Sequence, residues 1–145
     1  MEQYSIGLDC CLPNAEFNIA KWLNGLPLER YQLFIQTLMF NDLTQDIICK
    51  KITTLGELEG LNHKYGVMEI TLSIFPVGTP PHIISDYLQF LNSLCVCCLI
   101  YYDAGFLELY TKENKWLEKL EGNLQNCSPD HIVFKTLESD TRSHF

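Results

Sequence analysis

Leu94-Cys95-Val96-Cys97-Cys98-Leu99-Ile100-Tyr101-Tyr102 is a stretch of nine residues with no charge in it. A strand with one wet face alternates apolar and polar side chains, so a run that stays apolar needs cover on both faces. Its length is about half of the roughly 20 residues that a membrane-spanning helix requires. The stretch therefore reads as a central strand of a sheet packed on both sides. Asp103-Ala104-Gly105 supplies the turn that ends it, and Phe106, Leu107, Leu109 and Tyr110 suit a strand returning antiparallel.

Outward from this hairpin the pattern is mixed. Downstream, residues 112–124 carry Trp116, Leu117, Leu120 and Leu124 at helical spacing with Glu113, Glu118 and Glu121 opposite, a helix, and residues 132–136 form a last strand. The polar end, 137–145, is expected to fray. Upstream, Pro76 to Pro81 punctuates the chain and opens a predicted helix over 81–93. In it Ile83, Ile84, Tyr87, Leu88 and Leu91 share a face, with Asp86, Gln89 and Asn92 opposite. Residues 67–75 form a strand whose Glu69, Thr71 and Ser73 mark a wet face.

Residues 55–65 contain Gly56 and Gly60 and read as a loop or short helical turn. Residues 46–54 suit a strand after a turn at Asn41-Asp42, whereas 28–40 fits helix and strand alike. A helix over 15–26, capped near Pro13-Asn14, and a strand over 4–12 complete the chain. The fold class is α+β, a mixed, mostly antiparallel sheet packed by about three helices, in a single domain over 1–145.

The chain's 145 residues suit one core, because a chain of this size buries about 70% of its unfolded surface. Hydrophobic residues make up 47% of it, far from the composition of disordered chains. The net charge of -8 repels phosphate backbones and anionic headgroups, which argues against nucleic-acid and membrane partners. No Lys or Arg occurs between Lys64 and Lys112, while Glu69, Asp86, Asp103 and Glu108 all do. Met1-Glu2-Gln3-Tyr4 lacks the basic start of a signal peptide, and seven clustered cysteines, an odd count, suit reduced thiols. Both observations point to the cytoplasm.

Catalytic and metal chemistry find little support in the motifs. Strand alternation sets Cys95 and Cys97 on one face and Cys98 on the other, so the cluster reads as small core residues rather than metal ligands. His63, His82, His131 and His144 show no paired ligand spacing. Asp103, His131 and a cysteine would form a nucleophilic set only if folding assembled them. Asp103 itself also suits an ordinary hairpin turn. Phosphate-cradling glycine loops and the GxSxG elbow are absent. Neither a cofactor nor an enzyme activity is expected.

From Phe90 onward, Phe90-Leu91-Asn92-Ser93, Tyr102-Asp103, Leu109-Tyr110-Thr111-Lys112 and residues 136–142 (Thr-Leu-Glu-Ser-Asp-Thr-Arg) resemble the C-terminal half of an uncharacterised family of short bacterial α/β proteins. The resemblance covers about a third of the chain. It implies a bacterial origin and carries no activity with it.

These features favour a protein-binding module, an immunity protein that neutralises a cognate bacterial toxin by occluding its basic active site. Glu69, Asp86, Asp103 and Glu108 would meet the toxin's Lys and Arg around an aromatic anchor. The competing expectations are a small cysteine- or carboxylate-based enzyme and a small-molecule-sensing regulatory domain. A homodimer formed through sheet edges is compatible with either binding role.

Overall fold

Among the described residues seven strands form one sheet in the computed structural model, which describes residues 6–12, 17–103, 105–127, 132–135 and 145. They are β1 (Gly7–Cys11), β2 (Tyr31–Phe40), β3 (Ile48–Thr53), β4 (Val67–Pro76), β5 (Cys97–Tyr102), β6 (Phe106–Thr111) and β7 (Ile132–Lys135). Their order in space is β3-β2-β4-β5-β6-β1-β7. Helices α1 (Ile19–Trp22), α2 (Leu55–Tyr65), α3 (Tyr87–Leu91) and α4 (Asn114–Gln125) complete an α+β fold. Among the described residues every strand pairing is antiparallel, in keeping with the mostly antiparallel α+β sheet expected from the sequence.

β5 occupies the middle of this order, and Cys97 to Tyr101 are buried along it. Leu94, in contrast, is 65% exposed, because pairing with β4 begins only at the level of Cys97. Cross-strand registry lines up Ile35, Leu72, Leu99, Leu109 and Leu8 in one fully buried row across five strands. Trp22, Leu58, Leu117, Leu120 and Leu124 from three helices pack on this face. Each such side chain contributes about 1.5–3 kcal/mol through burial.

The neighbouring row, Phe34, Ser73, Cys98 and Tyr110, points to the opposite face. There Ile84, Phe90 and Cys95 form a second core with Phe34, Phe75, Ile100 and Tyr110. The strand of 67–75 therefore has no wet face at Ser73, which is fully buried. Its hydroxyl donates to Gln36 Oε1 at 2.8 Å.

Three expected elements change. The helix predicted over 81–93 shrinks to Tyr87–Leu91, where the Asp86 carboxylate accepts from the Gln89 N–H at 2.8 Å and caps it. Upstream the backbone of Ile84 is bound by Gln36 on β2, and that hydrogen bonding displaces the helical ladder. Phe90 and Ile84 face the sheet, whereas Leu88 and Leu91 are 68% and 46% exposed.

Residues 55–65 form a full helix rather than a loop. Thr54 Oγ1 accepts from the Glu57 N–H at 3.2 Å, and Gly66 closes the helix at φ 72. That cap and the burial of Leu58 outweigh the two glycines, each costing about 1 kcal/mol. The helix predicted over 15–26 is a single turn, Ile19–Trp22, capped by Asn18 and followed by Gly25 at φ 83. Residues 28–40 resolve into a 3-10 turn, Leu28–Arg30, and β2.

Pro13-Asn14, His131, His144 and residues 137–144 lie outside the described residues. Phe145 departs from the expectation of fraying: its N–H donates to the Ser85 carbonyl at 2.8 Å and its ring stacks on Tyr110 at 4.7 Å. At one sheet edge, β3 carries Lys50 at φ 54 beside Lys51. The other edge, β7, spans four residues. The kinked, lysine-bearing β3 edge opposes strand-to-strand association.

Candidate functional site

Strand parity gathers the predicted carboxylates on one side of the sheet. Glu69 shares its face of β4 with Ser73, and Glu108 shares its face of β6 with Tyr110, so both point to the second core's side. Asp86 caps α3, which covers that side. Asp103, exposed at the β5–β6 turn, lines a depression there of about 420 Å³ with Glu69, Thr71, Tyr102 and Phe145. Its φ of 49 is a left-handed conformation that Asp tolerates better than most residues.

Glu108 differs from the other three. It is buried and stands directly opposite Asp9 of β1, a like-charge pair that would repel. Lys135 of β7 relieves the repulsion. Its buried ammonium donates to Glu108 Oε1 at 3.1 Å and to the Tyr110 hydroxyl, and lies 3.5 Å from Asp9 Oδ1. Gly7 sits between Tyr110 and Lys135 in the registry, and the missing side chain leaves the gap that Lys135 spans. A Cβ at Gly7 would lie 1.9 Å from the Leu109 carbonyl oxygen.

Glu108 thus belongs to an internal ion pair, not to an open contact surface. Asp9, whose side chain is 45% exposed, is the carboxylate that reaches solvent from this cluster. The alternation Phe106-x-Glu108-x-Tyr110 places Glu108 between two aromatic neighbours on one face, a signal of its burial already present in the chain. Lys135 carries no comparable local signal.

An aromatic pair lies beside these acids. Tyr102 and Phe106 face each other across the hairpin and stack at 5.6 Å with Phe106 45% exposed. Asp9, Cys11, Tyr102, Phe106 and Val133 line a second depression of about 290 Å³ on the same side. Trp22, Tyr101 and Trp116 are buried core residues. Among the described residues, this face therefore combines Glu69, Asp103 and Asp9 around two stacked rings.

Cysteine positions correct the alternation argument. Cys97 enters the helix-side core, whereas Cys95 and Cys98 meet in the second core, Sγ to Sγ at 3.6 Å. The chain leaves the sheet before Cys97, so parity does not extend back to Cys95. Burial, with Cys11, Asp9 and Cys127 nearby, pushes the Cys10 thiol up to about 12. Among the described residues no group of three or more His, Cys, Asp or Glu side chains is arranged to hold a metal ion.

A cleft of about 600 Å³ opens on the helix side, between α1, α2 and the ends of β2 and β4. Its walls include Phe17, Asn18, Asn41, Glu59, His63 and Tyr101. Asn62 shapes it by donating to the Phe17 carbonyl at 3.0 Å while accepting from the Val67 N–H at 2.9 Å. Among the described residues no helix is long and apolar enough to cross a membrane.

The family model of a protein of unknown function, DUF2691, matches residues 5–145, and the chain belongs to that family. The likeness seen from Phe90 onward thus extends over most of the chain. A curated relative is the uncharacterized protein YncE of Bacillus subtilis (strain 168), 28% identical over 81 residues. That match covers 56% of this chain and 53% of the relative, so the chain spans about half the length of the curated relative it matches. No solved structure matches the chain.

Proposed function

We propose that this DUF2691 member is a protein-binding module of the immunity type, one that occludes the basic active site of a cognate bacterial toxin. The observation that carries the reading is the sheet face on which, among the described residues, Glu69, Asp103 and Asp9 surround the stacked Tyr102 and Phe106. Carboxylates at the rim steer a basic partner and set the association rate, while an exposed ring pair fills an apolar pocket on it. Glu108 is buried against Lys135 and does not touch the partner directly, whereas Asp86 caps α3 and stays half-exposed beside it.

Co-expression with the product of the adjacent gene tests this. The expected result is a stable complex whose association rate falls about tenfold or more as salt is raised, an electrostatic steering effect. Glu69→Lys combined with Asp103→Asn, which suits the left-handed backbone at 103, slows association with folding unchanged. An unaltered association rate in that double variant, or no complex, overturns the reading.

A second reading, a small-molecule-sensing regulatory domain, draws on the helix-side cleft, whose concave polar wall is backed by Phe17 and Tyr101. A co-purified metabolite released on denaturation favours it, and the double variant above would leave that metabolite bound. The enzyme reading has weaker support: burial pushes Cys10 and Cys97 away from the thiolate form that a nucleophile needs, and Cys95, the thiol held below its usual range, is fully buried in the second core.

A further inference from the structure

We infer that Cys95 and Cys98 are a dithiol that closes to an intramolecular disulfide, which makes the α3–β5 junction a redox modification site. Their sulfurs are 3.6 Å apart, so a bond of about 2.05 Å needs an approach of about 1.5 Å, within reach of side-chain rotation and a small backbone shift. Cys95-Val96-Cys97-Cys98 is also a Cys-x-x-Cys spacing.

Local structure produces the contact. In a continuous strand residues three apart point to opposite faces. Here the chain rises off the sheet between α3 and Cys97, with the Cys95 N–H donating to Ser93 Oγ at 3.1 Å and the Ser93 hydroxyl donating to the Phe90 carbonyl at 2.8 Å. Cys95 consequently folds back toward Cys98, whose Sγ is also 3.7 Å from Ser73 Oγ.

The two thiols are chemically unequal. Hydrogen bonding from Cys98, backbone groups of Cys97 and Ile74, and the charge of Lys112 hold the Cys95 thiol below its usual range. Burial pushes Cys98 well above it. Such a pair has one thiol ready to attack and one that keeps its proton until needed. The cover above them is thin: α3 has five residues and Leu94 is exposed, so local opening suffices for access. Cys97, facing the other core, takes no part.

The oxidant is a low-molecular-weight disulfide. The Cys95 thiolate attacks one of its sulfurs, forming a mixed disulfide and expelling one thiolate. Cys98 then loses its proton, attacks the Cys95 sulfur and expels the second thiolate. Two protein thiols are oxidised by two electrons, and the small disulfide is reduced to two thiols.

Oxidised glutathione and the full native chain provide the test. Trypsin releases residues 65–112 as one peptide, with Cys95, Cys97 and Cys98 its three cysteines. After oxidation and alkylation under denaturing conditions, that peptide is expected two hydrogens lighter with only Cys97 alkylated, and fragment ions join Cys95 to Cys98. The near-ultraviolet circular dichroism of the oxidised chain stays native. Three alkylated cysteines, a bond to Cys97, or a bond that forms only after the native signal is lost each overturns the inference. In Cys98→Ala the reaction stops at a glutathione adduct on Cys95, and absence of that adduct in the folded variant counts equally against it.

Discussion

Gln36 and Ile84 hold each other as two strands would: the Ile84 N–H donates to Gln36 Oε1 at 2.6 Å, and Gln36 Nε2 donates to the Ile84 carbonyl at 3.0 Å. Gln36 sits at a bulge, where β2 slips in register against β4 between Ile35 and Thr37. The bulge re-aims a polar side chain into the second core, where it satisfies both backbone groups of a buried residue.

Replacing Gln36 with Leu keeps the volume but leaves the Ile84 N–H and carbonyl unsatisfied. Each such group costs about 1–3 kcal/mol. Urea unfolding of Gln36→Leu is therefore expected to show a stability loss of about 2–4 kcal/mol, with added hydrogen exchange in residues 84–91. A loss below about 0.5 kcal/mol would mean that the clamp contributes nothing.

Lys135 is the counter-charge to two facing carboxylates. In Lys135→Met the buried Glu108 loses its cation, and the expected destabilisation is about 3–5 kcal/mol. Removing the charge on the other side as well, in Glu108→Leu with Lys135→Met, recovers most of that loss, since well-packed apolar residues replace buried ion pairs at little cost. Thermal or urea denaturation of both variants measures the difference.

At Asp103 binding and folding separate. Asn also tolerates the left-handed backbone, so Asp103→Asn keeps stability within about 0.5 kcal/mol while removing a rim charge. Under the proposed function it slows association with the partner. Asp103→Val introduces a β-branched residue at φ 49 and is expected to cost about 1–2 kcal/mol.

Alkaline pH should weaken the fold through Cys10. Its thiol is raised in the folded state from an ordinary value of 9.0 to about 12, so the folded chain keeps a proton that the unfolded chain gives up. The stabilisation is whole below pH 9 and is lost as pH rises toward 12. With reductant present, the fall in stability above pH 9 is expected to be shallower in Cys10→Ala, by about 1.4 kcal/mol per pH unit. Parallel falls in the two proteins would count against it.

Part of the candidate site was readable before folding. The acidic segment between Lys64 and Lys112 is visible as composition, and strand parity along 67–75 sets Glu69 on the face that the second core and the acid surface share. Asp9 and Lys135 were not readable as members. They belong to β1 and β7, which meet only because both ends of the chain return to the same side of β6.

By itself the sequence determined the β5–β6 hairpin, the helix at 114–125 and the α+β class. Each rests on a period of 2 or 3.6 that neighbouring side chains impose within a few residues. Tertiary structure alone decided which cation neutralises Glu108, how short α3 is, and that Cys95 meets Cys98. Those outcomes depend on groups far apart in the chain: Gln36 binds Ile84 from 48 residues away, and Lys135 reaches Glu108 from 27. A hydrogen bond or ion pair over such a distance outbids local propensity only when the sheet has brought both partners to one face.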